Sequence, residues 1–78
     1  MLHQPIAGHA LYEVAIYNKE VRALVKENQS HTYYDDYWAD VQVRDIIAHD
    51  EGEARDLIEK RFPSEDGFVV ETVTESRY

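Results

Sequence analysis

The spacing of polar and apolar positions changes several times along the chain. Residues 11–17, Leu-Tyr-Glu-Val-Ala-Ile-Tyr, alternate, with Tyr12, Val14 and Ile16 on one side and Glu13 and Ala15 on the other. Alternation among β-branched and aromatic residues predicts a strand. Residues 1–10 hold Pro5 and Gly8 and have no period, so they are expected to form a loose arm. From residue 18 the period lengthens. Val21, Leu24 and Val25 stand at i, i+3 and i+4, which predicts a helix over 18–29. Asn18 suits the N-cap, Glu20 the first turn, and Arg22 and Lys26 the outer side. The same residues also alternate, so a second strand of a hairpin is an alternative there.

Residues 29–38 have no clean period and read as a long loop or an irregular strand start. Residues 39–49 alternate through Val41 and Val43 and then slip at Asp45-Ile46-Ile47, which predicts a strand with a bulge near Asp45. The helix signal over 50–63 is the clearest. Asp50 caps it, Glu53 completes a capping box, and Pro63 ends it. Ala54, Leu57, Ile58, Arg61 and Phe62 keep helical spacing, with acids preceding bases along the axis. Residues 64–67 read as a turn. Residues 68–75 read as the last strand, with Val69 and Val73 on the side opposite Phe68, Val70 and Thr72.

The order is β-α-β-α-β, or β-β-β-α-β if 18–29 is a strand. It predicts one α+β domain over residues 11–78, a single mainly antiparallel sheet of three or four strands with two helices. The expected core is Val14, Ile16, Val21, Leu24, Val41, Val43, Leu57, Ile58, Phe62 and Val70.

Length and charge then limit the function. Seventy-eight residues leave room for one thin core and none for a buried active-site cavity beside it. The chain has no cysteine, which excludes disulfides and thiolate metal sites and points to a reducing, cytoplasmic setting. The first residues lack a basic stretch followed by an apolar run, so no signal peptide is expected. The net charge is −8. Residues 1–39 carry five acids and three bases, and residues 40–78 carry eleven acids and five bases. This balance opposes direct binding to nucleic acid or an anionic membrane and favours a basic protein surface. A monomer or weak dimer is expected.

The residues that could carry chemistry are sparse. His31, Asp35, Asp36 and Asp40 are metal-ligand types but match no calcium loop, and His49, Asp50 and Glu51 are chain neighbours that point apart on a strand. Ser30-His31 lacks an oxyanion-hole motif, and three isolated glycines form no phosphate loop. The expectation is a protein that is not an enzyme and holds no metal or cofactor.

The unusual stretch is His31–Asp40, HTYYDDYWAD. Trp38 and Tyr37 are expected to anchor it to the core. Tyr33 and Tyr34 are consecutive and cannot both face a thin core, so at least one ring should be exposed. Exposed tyrosines make binding anchors, and neighbouring aspartates attract Lys or Arg. The expected partner-binding residues are Tyr33, Tyr34, Asp35, Asp36 and Asp40. Asp50, Glu51 and Glu53 form a second acidic patch at a helix start.

An acidic, cysteine-free α+β chain of this size resembles the small inhibitors encoded by bacteriophages. Among them it is similar to the anti-CRISPR proteins of the type I class, type I-C included. The likeness covers the whole chain through size, charge and element order. That group shares no common motif, so no residue's role transfers. The resemblance implies an inhibitor in the host cytoplasm that occupies a basic channel of a CRISPR surveillance complex and blocks target DNA. The competing expectation is a cellular adaptor that docks through its aromatic loop or a sheet edge.

Overall fold

The alternation around Tyr12, Val14 and Ile16 becomes the central strand of the sheet. A computed structural model describes residues 8–76. Its elements are β1 (Ala10–Asn18), α1 (Lys19–Lys26), a 3-10 turn (Asp36–Ala39), β2 (Gln42–Ala48), α2 (Glu51–Arg61), a second 3-10 turn (Ser64–Asp66) and β3 (Phe68–Ser76). The sheet order is β2-β1-β3, and both outer strands run antiparallel to β1. The expected α+β fold with order β-α-β-α-β is therefore the one observed. Most of the expected N-terminal arm, residues 1–7, lies outside the described residues, as do 77 and 78; Ala10 already belongs to β1.

Both helices contribute to one core over a single face of the sheet. Val14, Ile16, Val21, Ala54 and Ile58 are fully buried there, joined by Tyr12, Trp38, Ile46, Ala48 and Phe68. Each large aliphatic side chain buried this way contributes about 1.5–3 kcal/mol. Phe62 and Phe68 meet at 5.2 Å, and Trp38 packs on both rings.

Residues 19–26 are helix, which removes the hairpin alternative. The cap decides it. The Asn18 side-chain oxygen accepts from the backbone N–H of Glu20 at 2.9 Å and of Val21 at 3.0 Å. Its amide nitrogen donates to the Asp66 carbonyl at 3.0 Å, so this buried polar side chain is satisfied on both sides. The helix is shorter than expected, because Asn28 takes a left-handed conformation, φ 58°. Leu24 is only half-buried and lies outside the core. Arg22 is not a solvated outer residue. It stacks 3.7 Å above the Tyr17 ring and donates to the Ala39 carbonyl at 2.7 Å.

Three expectations for the strands need correction. First, β2 pairs continuously from Gln42 to Ala48, with no bulge at Asp45. Its buried side is Ile46 and Ala48, while Val41 and Val43 are exposed, Val43 by 57%. The connection from β2 to α2 is only His49-Asp50, and the small residues Ala48 and Ala54, both fully buried, let the helix pass close to the strand. Arg44 shares that buried side and sets its guanidinium over the aromatic cluster, 5.0 Å from the Trp38 ring centre and 6.0 Å from that of Phe62. Second, the irregularity lies in β3. Ala15 pairs with Thr72 and Ile16 with Val70, so Glu71 is the extra residue. Third, that bulge reverses the alternation, and Val73 joins Phe68 and Val70 on the core side.

The other face of the sheet is open. Glu13 stands opposite Asp45 and Thr74, and Ala15 opposite Val43 and Thr72. Glu13, Ala15, Val43, Thr72 and Thr74 line a shallow depression of about 170 Å³ there.

Candidate binding surface

The aromatic and acidic segment is a braced ledge beside the C-terminal end of β1. Its first half turns on His31, whose Nδ1 accepts from the N–H of Tyr33 at 3.0 Å and of Tyr34 at 3.2 Å. With Nδ1 accepting, the ring proton sits on Nε2, which faces the Glu20 carboxylate at 3.6 Å. The second half is the 3-10 turn. Arg22 holds the Ala39 carbonyl, and Gln42 Nε2 donates to the carbonyls of Tyr37 at 2.9 Å and Asp40 at 3.3 Å. Trp38, 5% exposed, drives into the core as expected.

These braces decide which side chains face solvent. Tyr33 is 85% exposed. Tyr34 turns inward, edge-on to Phe68 at 4.9 Å, and its hydroxyl donates to the Asp66 carboxylate at 3.0 Å. Burial first, then that bond and the Asp66 charge, raise its pKa above the ordinary tyrosine value. Tyr37 was expected to anchor the loop. Instead it lies over Trp38 at 5.3 Å and is half exposed. Asp35, Asp36 and Asp40 are exposed, and among the described residues no ion pair engages them. Tyr33, Tyr37 and three uncompensated carboxylates thus lie within eight residues of chain held by at least five hydrogen bonds from side chains.

The second acidic patch is elsewhere and differently used. Asp50 and Glu51 lie close enough to Tyr12 for their charges, with that of Glu75 and after burial, to raise its pKa. Tyr12 is near the start of β1, whereas Tyr34 and Asp66 gather around its last residue, Asn18. A nine-residue strand is about 26 Å long, so the two patches occupy opposite ends. The carboxylates of the second patch are also occupied. Asp50 accepts from the Glu53 N–H at 2.8 Å, Glu51 pairs with Arg55 at 3.0 Å, and Glu53 accepts from the His49 N–H at 3.0 Å. The bonds from the His49 backbone and ring hold the Glu53 carboxyl below its usual range. These interactions serve the start of α2: Asp50 caps it as expected, while Glu53 reaches the N–H of His49, one residue before the cap, rather than that of Asp50 as in a full capping box.

Three features escaped the sequence. Asp66 and Glu20 join the ledge from distant elements through Tyr34 and His31. His9 reaches His49, their ring centres 3.8 Å apart and tilted by 40°. A cleft of about 470 Å³ lies between β2 and α2, lined by Asp45, Ile46, Ile47, Leu57, Lys60 and Arg61.

No helix among the described residues is long and apolar enough to cross a membrane. Comparison of the chain with protein-family models, with curated proteins and with solved structures found no match.

Proposed function

We propose that this protein is a non-enzymatic binding module that grips a basic groove on another protein through the ledge of Tyr33, Tyr37, Asp35, Asp36 and Asp40. The observation that carries this reading is a pair of exposed rings among three unpaired carboxylates on a braced segment. A braced segment loses little freedom on binding, so more of the contact energy appears as affinity. The rings supply desolvated contact and cation–π faces, and the carboxylates meet Lys or Arg. Grooves rich in Lys and Arg commonly hold nucleic acid, so the ledge acts where phosphates would otherwise lie. The DNA channel of a CRISPR surveillance complex, to which the resemblance points, is one groove of that kind. The separation of the acidic patches supports mimicry by the ledge alone rather than by one continuous acidic face.

The test uses three baits in a cell extract: the native chain, a ledge variant (Tyr33→Ala with Asp35→Asn and Asp36→Asn), and Glu51→Gln at the other end. The proposal expects one basic protein to be captured by the native chain and Glu51→Gln, and lost with the ledge variant. Equal capture by all three would contradict it. A second reading is an adaptor that docks by its sheet. It is supported by exposed Val43 and Ile47 on the open face and by the unpaired edges of β2 and β3. Equal capture with the ledge variant, combined with loss on Val43→Lys, would favour that reading.

A further inference from the structure

We propose that His9, His49 and Glu53 form a binding site for a divalent transition-metal ion of the zinc type. The site is distinct from the ledge and stands at the other end of β1. Its residues are far apart in sequence and are assembled by two local rules. The register Ala10↔Ala48 places position 9 opposite position 49 immediately beyond the paired residues. Glu53 follows His49 by four residues and folds back over it in the first turn of α2.

The His49 to Glu53 spacing is within a few tenths of an ångström of that between two ligands of one metal. Zinc binds imidazole nitrogen at about 2.0–2.1 Å and carboxylate oxygen at about 2.0–2.2 Å. Two ligands of a tetrahedron with such bonds are roughly 3.3–3.5 Å apart. His49 Nδ1 lies 3.1 and 3.2 Å from the two Glu53 oxygens. One ligand atom from each of His9, His49 and Glu53 falls within 4.8 Å of the others, so the three converge on one small space. The side chains of His49 and Glu53 are 57% and 41% exposed, which leaves an entry path and a fourth position for water.

The donor set selects the ion. Two imidazoles and one carboxylate suit zinc, copper and nickel, whereas magnesium and calcium require mostly oxygen ligands. Binding replaces the direct contact between His49 Nδ1 and Glu53 with a bond from each to the metal. It also ties the residue before β1 to the start of α2, closing a loop of about forty residues. A metal held only by the folded chain stabilises the fold, by an amount that grows with the logarithm of free metal above the dissociation constant.

The experiment is a titration of the untagged, metal-stripped full chain with zinc chloride, followed by calorimetry and thermal melting. The expected result is one saturable zinc equivalent with a rise in melting temperature, and no rise with magnesium or calcium. His9→Ala and His49→Ala should each weaken binding by at least about tenfold, since even residues that merely orient metal ligands cost about 10–100-fold. His31→Ala, at the ledge, should bind zinc as the native chain does. Absence of saturable binding would overturn the proposal. So would native-like affinity in His9→Ala, a variant outside every helix and strand whose folding can be checked by its melting temperature without metal.

Discussion

The Tyr34 hydroxyl donates to the Asp66 carboxylate at 3.0 Å, fastening the aromatic loop to the turn that precedes β3. The bond needs a protonated phenol, and burial and the Asp66 charge both favour that form. A raised folded-state pKa means that the stabilisation is complete below the unfolded tyrosine value, near pH 10, and is lost as pH rises through the folded value above it. In urea unfolding followed from neutral to strongly alkaline pH, Tyr34→Phe should be less stable than the native chain at neutral pH. The gap should narrow above pH 10. A constant gap at all pH values would refute this account of the bond.

Asn18 joins three elements at one buried point, and Gly67 gives it room. Gly67 has φ of 99°, and a Cβ there would lie 2.8 Å from Asn18 Oδ1. Asn18→Ala removes a cap and leaves buried backbone groups unpaired, so it should cost on the order of 2–3 kcal/mol. Asn18→Asp keeps the cap oxygen but not the donor to Asp66, and should cost less. Gly67→Ala should cost on the order of 1–3 kcal/mol through left-handed strain and that close approach. Chemical denaturation of the three variants checks the order.

The position of the core gives a contrast between two isoleucine and valine sites. Ile58 is fully buried, whereas Val43 faces solvent. Ile58→Ala should cost about 2–5 kcal/mol, and Val43→Thr within about 0.5 kcal/mol. Leu57 is half-buried, so Leu57→Ala should fall between them. A large loss at Val43 would mean that the open face is covered, by self-association for example, and sedimentation would reveal it.

Local signals were legible and non-local ones were not. Asn18, Asp50, Glu53 and Pro63 marked the helix ends because capping depends on residues within one turn. The β1 face was legible because Tyr12, Val14 and Ile16 alternate with a charge. In β2 both faces carry β-branched residues, so the choice fell to contacts with α2 and Trp38 that no local pattern encodes. The bulge at Glu71 likewise depends on pairing with Ala15 and Ile16. Within the ledge, exposure of one of the two rings Tyr33 and Tyr34 followed from the thin core, but which one did not. The inward turn of Tyr34 depended on Asp66, thirty-two residues away. The contact of His9 with His49 required a strand register that only the fold supplies.

The two kinds of ledge residue should differ kinetically. Asp35→Asn and Asp36→Asn should mainly slow association and flatten its salt dependence, because exposed charges act during encounter. Tyr33→Ala should mainly speed dissociation, because a desolvated ring acts in the formed complex. Surface plasmon resonance on the captured partner, at several salt concentrations, separates the two effects. Equal changes in both rates for both variants would contradict this division.

On the proposed reading, the ledge occupies a place where nucleic acid would otherwise lie. The most direct measurement is DNA competition on the captured partner, with labelled DNA bound first and this protein added in increasing amounts. Full displacement is expected with the native chain and with Glu51→Gln, and none at the same concentrations with the Tyr33→Ala, Asp35→Asn, Asp36→Asn variant. A partner that holds DNA and this protein together, or that has no nucleic-acid site, would contradict it.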